Sequence, residues 1–395
     1  MRYVITLTQG AERLAFTKCE TMLRRYGTPT GSTLYTSWKF KIIMQERKDI
    51  IENVIGFDAL YNSMMKCKRG VMWKGSVQHY CLNAIEETIK LEESLKNGKY
   101  KAREPVKFKI KFPKEREIVS IAFRDRVYQR SLNDNSIYPQ MVRGFIKDNF
   151  ACQKGKGTDA ARNRLEEMLK HLYRLHGLEY FVAQDDIRGY YPNMRHDVTK
   201  KKFKKKLDDW TYRKSTEVLD AQYTGEIGYN PGSQMVQIAG ISVLDDLDHF
   251  IKERLHIKCY IRYMDDFILM HQSKEYLEYC QKEIKEHLKR IGFETNEKKT
   301  KVYSVKKNVR FLGFDFRITN TGKVIRTLEP GNVKHERLKL RRLVNKAKRG
   351  EMTKEKVDEC YKGWKAHAEK ANSYKLLKRM DKYYKELWGK ENASN

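Results

Sequence analysis

Of the four pairs of adjacent aspartates in this sequence, two lie beside apolar runs that predict strands. Asp265-Asp266 lie inside the stretch 259–270, whose apolar residues predict two short strands joined at the aspartates. Carboxylates at the end of a buried sheet repel one another and are costly to desolvate, and a divalent cation removes that cost. Taken alone, this pair is equally typical of an acidic surface turn.

A second predicted strand that ends in aspartates favours a metal site over a surface turn. The run Tyr180–Ala183 predicts a buried strand that leads directly into Asp185-Asp186. Two strands that each deliver a carboxylate can hold two metal ions ~3.5–4 Å apart, which is the geometry of two-metal phosphoryl transfer. We therefore expect Mg²⁺ as the cofactor, as two ions with Mn²⁺ as the alternative, and nucleotidyl transfer as the chemistry.

The charge of the chain indicates a polyanionic partner. Among 395 residues, 81 are Lys or Arg and 51 are Asp or Glu, which gives a formal net charge of +30. This excess is larger than solubility requires and favours nucleic acid. Charge alone leaves open an acidic membrane surface or a ribosomal-type structural binder. The 40% hydrophobic content excludes global disorder.

The cysteines and the amino terminus indicate the cellular setting. The seven cysteines are scattered and no CxxC pair occurs, so neither a zinc site nor a disulfide framework is expected. The first residues lack the apolar core of a signal peptide, and no apolar run could span a membrane. We expect a cytoplasmic protein with reduced thiols and no membrane partner.

Hydrophobic spacing predicts the elements that must position the acids. The expected elements are helices over Val77–Asn97, Thr158–Gly177, Ser233–Leu255 and Ser273–Gly292, and strands over Phe108–Phe112 and Ile118–Phe123. Thr158 is the expected N-cap of its helix. After about Leu328 the sequence is basic and helix-forming, so the coarse order is mixed α/β followed by an all-α module.

The motifs of this chain resemble those of a known family. Tyr263–Asp266 resembles the YxDD signature of reverse transcriptases, and Asp186-Ile187 followed by Tyr190-Tyr191 resembles their first catalytic motif. Further segments are similar to reverse transcriptase motifs and occur in the same order: Arg116–Val119, Phe123–Val127, Cys152–Thr158, Gly232–Gln237, Asn296–Thr300 and Phe311–Phe314. The resemblance covers roughly residues 75–385.

The resemblance implies an α+β right-hand polymerase fold, with fingers, a palm built on an antiparallel sheet and an all-α thumb. It predicts an N-terminal extension over 1–75, fingers with part of the palm over 76–180, the catalytic palm over 181–328 and a helical thumb over 329–395. The implied enzyme is an RNA-directed DNA polymerase with an RNA template, a DNA product and dNTPs as substrates.

The resemblance also assigns the metal site. Its expected members are Asp186, Ile187, Asp265 and Asp266, and the three aspartates are the expected catalytic carboxylates. Asp186 is assigned rather than Asp185 because the steric-gate aromatic of the family lies five positions after the catalytic aspartate, where this chain has Tyr191. Asp185 is then expected to be solvated or paired with a lysine.

The side chain of Tyr191 is expected to pack against the sugar and exclude a 2′-hydroxyl, which predicts DNA rather than RNA synthesis. An aromatic residue that belongs only to the core is the alternative. Lys111 and Arg116 flank the predicted fingers turn, where family members hold the incoming triphosphate. Lys299 stands at the place of a proposed general acid for pyrophosphate, a role that Lys298 also fits.

The segment Gly232–Gln237 corresponds to the motif beside the nascent base pair. Val236 replaces the usual serine, whereas Gln237 is kept. Pro231 stands where many relatives have a glutamine, so base selection is expected to be looser, unless Pro231 only shapes the loop. Pro231, Gly232 and Gln237 are therefore expected dNTP contacts.

The remaining predicted contacts are to the template and primer. The residues expected to bind nucleic acid are Lys154, Lys156, Phe311, Leu312, Gly313, Arg341 and Arg342. The lysine run 200–206 is typical of a solvated helix face, and binding of template phosphates is its alternative. Trp364 is expected to pack in the core of the thumb.

The resemblance is to stand-alone prokaryotic reverse transcriptases, namely those of diversity-generating retroelements and of antiviral defence. The altered Val236 motif, the extension before residue 76 and the lack of an endonuclease tail favour defence, with a structured non-coding RNA as template or partner. The extension is free to bind RNA, a partner protein or a second copy of the chain. The alternatives are a diversity-generating enzyme, a template-independent deoxynucleotide polymerase and a non-catalytic RNA-binding scaffold.

Overall fold

The computed structural model of the protein describes residues 49–110, 116–230, 232–297 and 300–389. These residues divide into two compact units. One unit consists of the described residues up to Arg103 together with Ala122–Ser136. The other consists of the described residues of Glu104–Ile121 and of those from Ile137 onward.

The first unit is helical. Its helices include α1 (Phe57–Cys67), α2 (Gly75–Leu82), α3 (Ala84–Lys96) and α4 (Phe123–Leu132). Leu60, Leu91 and Val127 are fully buried between them. The single helix predicted over 77–97 is wrong, because the chain breaks at Asn83, whose backbone has φ −110° and ψ 35°. Asparagine favours such breaks because its side chain competes for backbone hydrogen bonds.

The second unit begins with a two-stranded hairpin. Strand β1 (Val106–Ile110) pairs antiparallel with β2 (Arg116–Ser120), which confirms the predicted strand pair. The predicted extension of the second strand to Phe123 is wrong. Phe123 instead begins α4, where its buried ring packs edge-on against Tyr80 at 5.2 Å between centroids.

Helices of the second unit surround a four-stranded antiparallel sheet. The helices are α5 (Tyr138–Met141), α6 (Thr158–His176), α7 (His196–Lys206), α8 (Asp209–Gln222), α9 (Gln234–Val243), α10 (Asp245–His249) and α11 (Lys274–Arg290). The strands are β3 (Phe181–Asp186), β4 (Cys259–Tyr263), β5 (Asp266–His271) and β6 (Lys301–Ser304), in the order β4-β5-β3-β6. Helix α6 packs on β4, and α11 packs on β3, β5 and β6.

Two helix predictions need correction in detail. The helix that begins at Thr158 is confirmed, but Gly157 rather than Thr158 is its N-cap, and no side chain caps it. The helix predicted over 233–255 is interrupted at Leu244 and continues as α10 and a π-helical turn. The interruption has a physical reason, because it brings the carboxylate of Asp248 to the side chains of β4.

The end of the described chain combines a small sheet with three helices. The elements are β7 (Val309–Phe311), β8 (Phe314–Ile318), β9 (Val324–Leu328), α12 (Pro330–Lys348), α13 (Lys354–Ala368) and α14 (Tyr374–Gly389). The three strands form an antiparallel meander. Beyond β9 the described residues are helical, as predicted. One apolar core joins α6, both sheets and these helices, with Leu165, Ile268, Phe314 and Leu340 fully buried in it.

Candidate active site

The central sheet brings the acids of two separate chain segments together. In the register of β3 and β5, Asp186 lies directly opposite Asp266. Residues opposed in this way have Cβ atoms ~4.5–5.5 Å apart. Asp265 lies in the turn that joins β4 to β5, and Tyr263 pairs with Asp266 across that turn. The three carboxylates predicted from the sequence therefore meet at one end of the sheet.

Asp185 points to the opposite face of β3, since neighbouring side chains of a strand alternate. Its side chain is 2% exposed, and the Gln281 amide on α11 donates a hydrogen bond of 2.9 Å to it. Burial raises the pKa of Asp185 to about 7, against the opposing effect of the hydrogen bond from Gln281. The expectation of a solvated Asp185 is wrong, and its partner among the described residues is an amide rather than a lysine.

Asn296 orients the carboxylate of Asp186. Its side-chain amide donates to Asp186 Oδ2 at 3.1 Å, and its backbone N–H donates to the Asp186 carbonyl at 2.8 Å. Thr295 forms a β-bridge with Ile187, whose side chain is buried. Ile187 can therefore offer a ligand only through its backbone. Lys298 and Lys299 lie outside the described residues.

The donor set suits a hard divalent cation that shares its coordination with a substrate. Among the described residues, no three His, Cys, Asp or Glu side chains are arranged as a preformed metal site. Mg²⁺ is usually bound through one or two carboxylates together with water and substrate phosphates, and not in an all-protein cage. Asp186 opposite Asp266, with Asp265 in the adjoining turn, provides carboxylates for that arrangement.

Tyr191 contacts the turn between β4 and β5 and lies close to a glycine of α9. Its hydroxyl is 3.7 Å from the Met264 sulfur. A Cβ atom at Gly240 of α9 would lie 2.9 Å from this hydroxyl oxygen and 3.1 Å from the nearest ring carbon. The neighbouring Tyr190 is buried and donates its hydroxyl to the Gly240 carbonyl. Glycine within a helix costs about 1 kcal/mol, which is the signal that could have identified Gly240 from the sequence.

The segment predicted to lie near the base pair leads into helix α9, which contains Gln237. Ser233 caps the helix, and its hydroxyl accepts a hydrogen bond from the Val236 N–H at 3.2 Å. Gln237 lies with its Oε1 3.6 Å from the Cys152 sulfur. The exposed Gly232 lies close to β2, because a Cβ there would be 3.3 Å from the Val119 carbonyl oxygen.

Other predicted nucleotide contacts are only partly described. Lys111 and Pro231 lie outside the described residues, and Arg116 is described only as the first residue of β2. Cys152, which the sequence interpretation placed only in a motif, has an exposed side chain and a left-handed backbone with φ 50°.

The two lysines predicted to bind nucleic acid differ in their surroundings. Lys156 donates from its ammonium to the carbonyls of Asn149 and Lys147 at 2.8 and 3.0 Å, and burial lowers its pKa. In the described chain it therefore stabilises the segment before it. Lys154 is exposed, with its ammonium 5.2 Å from the ring centroid of Tyr138.

The Phe311–Phe314 segment forms the turn between β7 and β8. Leu312 and Gly313 have left-handed backbones with φ 49° and 82°. Arg162 of α6 donates from Nη2 to the Leu312 carbonyl at 3.0 Å and from Nε at 3.3 Å. The side chain of Phe311 is buried, so the parts of this turn open to a nucleic acid are its backbone and Leu312.

The basic residues of the helical regions are not equivalent. Arg341 and Arg342 are exposed on α12. Three lysines of α7 form ion pairs with neighbouring helices, namely Lys200 with Asp220, Lys202 with Asp246 and Lys206 with Asp245. The run 200–206 is therefore not a uniformly solvated face. The predicted role of Trp364 in the core of the helical tail is confirmed, since the residue is 8% exposed and its Nε1 donates to Asn332 at 2.9 Å.

The part of the chain that contains this site matches a known protein family. A family model described as Reverse transcriptase (RNA-dependent DNA polymerase) matches residues 111–316. Apo telomerase from Candida tropicalis, truncated from its C-terminal domain, is 14% identical with a TM-score of 0.43, over 61% of this chain and 60% of that chain. Telomerase from Candida albicans in complex with a TWJ fragment of telomeric RNA is 11% identical with a TM-score of 0.43, over 65% of this chain and 55% of that chain.

The chain thus spans little more than half the length of these telomerases. No curated protein matches the sequence. Within the described residues, no helix is both long and apolar enough to cross a bilayer.

Proposed function

This chain belongs to the reverse transcriptase family, and on that premise we propose that it extends a nucleic-acid 3′ end with deoxynucleotides, using RNA as the template. Its fold class is the α+β right-hand polymerase. The observation that carries the proposal is the pairing of Asp186 with Asp266 beside the turn that holds Asp265. As part of the proposal, fingers correspond to residues 76–180, the palm to 181–328 and the thumb to 329–395.

Members of this family generally use divalent metal ions. In the proposed site Asp186, the Ile187 carbonyl, Asp265 and Asp266 would hold Mg²⁺, as two ions, with Mn²⁺ as a substitute. When bound, such ions acidify the attacking hydroxyl and neutralise the charge of the phosphates. The chain's own contribution is to hold the carboxylates in place, and Asn296 does so for Asp186 through two hydrogen bonds.

The selection of deoxynucleotides is assigned to Tyr191. Its ring is held between the Met264 sulfur and Gly240, so it cannot move toward α9 to admit a 2′-hydroxyl. Gln237, on the same helix, and Gly232, close to its N-terminal end, are proposed to contact the base pair, as is Pro231. Lys111 and Arg116 are proposed to hold the triphosphate, and the proposed proton donor to pyrophosphate is Lys299.

The proposed nucleic-acid surface lies along residues of the second unit. The basic members are Lys154, Lys156, Arg341 and Arg342, and the turn Phe311–Gly313 is proposed to hold the primer strand. The net charge of +30 supports an RNA partner larger than a short duplex.

Primer extension tests the proposed activity. The wild-type protein, with RNA template, DNA template or no template, should add dNTPs in Mg²⁺, and should prefer the RNA template and dNTPs over rNTPs. Product formed equally well without template would replace copying by template-independent addition. Equal use of rNTPs would contradict the assignment of Tyr191. Binding of RNA without any incorporation would favour the scaffold alternative.

The biological role that we propose is antiviral defence in a prokaryotic cytoplasm, together with a structured non-coding RNA. The support is the resemblance of the sequence motifs and the excess positive charge. Expression of the locus in a bacterium should protect it against phages, and the Asp265→Asn variant should lose that protection. Adenine-directed mutations in a target gene beside a template repeat would instead assign the protein to diversity-generating retroelements.

A further inference from the structure

An arginine and an aspartate are completely buried beneath the catalytic turn. Arg262 of β4 and Asp248 of α10 both have fully buried side chains. Arg262 donates from Nε to Asp248 Oδ1 at 2.7 Å and from Nη2 to Asp248 Oδ2 at 2.5 Å. Tyr260 adds a hydrogen bond of 2.6 Å from its hydroxyl to Asp248 Oδ1. The carboxylate is therefore oriented by two neighbouring residues of β4.

Stability alone does not explain this pair. Desolvating two charges costs several kcal/mol per ion, and apolar residues of similar volume are often as stable or more stable. The pair must therefore be considered together with the two backbone groups that the guanidinium also contacts.

These two backbone groups belong to the machinery described above. Arg262 Nη1 donates to the Met264 carbonyl at 2.9 Å, and Nη2 donates to the Ile241 carbonyl at 3.1 Å. Met264 has a left-handed backbone with φ 58°, which costs about 1–2 kcal/mol for a residue with a side chain. Ile241 follows Gly240 in α9. One guanidinium thus joins the catalytic turn to the helix on which Tyr191 rests.

We propose that Arg262, oriented by Asp248, is the positioning residue of the catalytic turn. The bond to the Met264 carbonyl holds that residue in its left-handed conformation, and so fixes the direction in which the following Asp265 leaves the turn. The hydrogen bond to the Ile241 carbonyl fixes the position of the turn relative to α9. This inference rests on the proposed function, since the turn matters only if its carboxylates act on a nucleotide.

Two variants test the role of Arg262. Arg262→Lys keeps the charge beside Asp248 but lacks the planar fork that reaches both carbonyls. The double variant Arg262→Met with Asp248→Leu replaces the ion pair by apolar side chains of similar volume, so that the fold is kept. Arg326→Lys is the matched control, because Arg326 also pairs with a carboxylate, that of Glu166 at 3.0 Å, and donates to a backbone carbonyl, that of Lys370 at 3.3 Å, in the same unit.

The measurements separate positioning from folding and from polymerase activity. For folded protein, kcat in both Arg262 variants should fall by about 100-fold, as expected for a displaced catalytic group. The dissociation constant of Mn²⁺, measured by electron paramagnetic resonance without substrate, should rise on the order of 10-fold. The control should keep both values, and the double variant should keep the wild-type melting temperature within a few degrees.

Folded Arg262 variants with wild-type kcat and wild-type Mn²⁺ affinity would overturn the inference. A wild-type protein that adds no nucleotide, while the variants bind Mn²⁺ more weakly than it does, would refute the proposed function and leave the positioning role intact. If kcat falls in Arg326→Lys as much as in Arg262→Lys, the effect is general to arginines that join a carboxylate to a backbone carbonyl, and the inference is wrong.

Discussion

Two hairpin turns of the second unit have similar backbone conformations but are stabilised by arginines in different surroundings. In each turn a residue with a side chain, Met264 or Leu312, has a left-handed backbone. In each, an arginine donates to the carbonyl of that residue: Arg262 at 2.9 Å in the first turn and Arg162 at 3.0 Å in the second. The first turn carries the catalytic aspartate Asp265 of the proposed site, whereas the second is the proposed primer-binding turn.

The two arginine–aspartate pairs that stabilise these turns differ in their exposure to water. Arg262 and its partner Asp248 are both completely buried. Arg162 is almost buried, but the side chain of its partner Asp159 is 52% exposed. The second turn continues with Gly313, which adopts a positive φ without strain. The comparison teaches that the turn proposed to perform chemistry is held by charges that water does not screen, whereas the turn proposed to bind the primer relies on glycine and on a pair that water screens.

The largest effect should come from the carboxylates of the first turn and of its partner strand. Asp265→Asn or Asp186→Asn should reduce dNTP incorporation at least about a thousand-fold, because each removes a charged ligand worth several kcal/mol in the transition state. Filter binding of RNA should be unchanged. The matched control is Asp185→Asn, a buried neighbour on the other face of β3, which should keep activity within about threefold of wild type. Equal loss in both neighbours would refute the choice of Asp186.

A smaller effect is expected from Arg162, the arginine that stabilises the second turn. Arg162→Lys cannot donate to the Leu312 carbonyl from two nitrogen atoms at once. Steady-state kinetics should show KM for the primer–template raised about 10-fold with kcat nearly unchanged, as for a lost binding contact. The Arg262 variants should show the reverse pattern. A fall of kcat alone in Arg162→Lys would remove the distinction between the two turns.

The contact between Tyr191 and α9 should respond to a single methyl group. In Gly240→Ala the new Cβ would lie 2.9 Å from the tyrosine hydroxyl oxygen, so Tyr191 must shift toward the first turn. Competition between dNTPs and rNTPs should show discrimination reduced by about 10-fold. Gly363→Ala on α13, where nothing lies within 4 Å of the new methyl group, is the control and should leave discrimination unchanged. Unaltered selection in Gly240→Ala would contradict the proposed packing.

The smallest effect concerns the backbone of the second turn alone. Nothing lies within 4 Å of a methyl group added at Gly313, so Gly313→Ala acts only through the positive φ of 82°. It should lower the free energy of unfolding by about 1 kcal/mol. Urea denaturation of Gly313→Ala and of Gly363→Ala provides the comparison. Gly363→Ala, inside a helix, should instead raise the midpoint, and a midpoint for Gly313→Ala at or above that of wild type would show that the turn tolerates a side chain.

The sequence alone predicted the parts of the site that depend on local pattern. Strands β3 to β5 and the acids at their ends follow from apolar runs interrupted by aspartates. Arg262 could not be recognised in the same way, because one arginine among 81 basic residues carries no signal until its distant partner is known. Gly240 and Asp248 likewise gain their roles from contacts with Tyr191 and Arg262 that are remote in the chain.

The fold shows the same division between local and long-range causes. Amphipathic helices such as α6 and α11 were predicted nearly to their ends, since their periodicity is local. Breaks at Asn83 and Leu244 were missed, because each interrupts a helical pattern that continues on both sides. The strands β6 and β7 were also not identified, since runs of four and three residues are too short to show alternation.

The strand order of the central sheet has a consequence for how the enzyme comes into being. Strand β3 lies between β5 and β6, and both follow it in the chain only after helices α7 to α10. Closing loops of this length costs chain entropy before any strand pairing compensates for it, so such sheets form slowly. On a ribosome that adds about 5–20 residues per second, Asp186 is synthesised seconds before Asp266 exists. A nascent chain that ends before β5 therefore contains Asp186 but not Asp266, so the proposed metal site forms only after β5 has been synthesised.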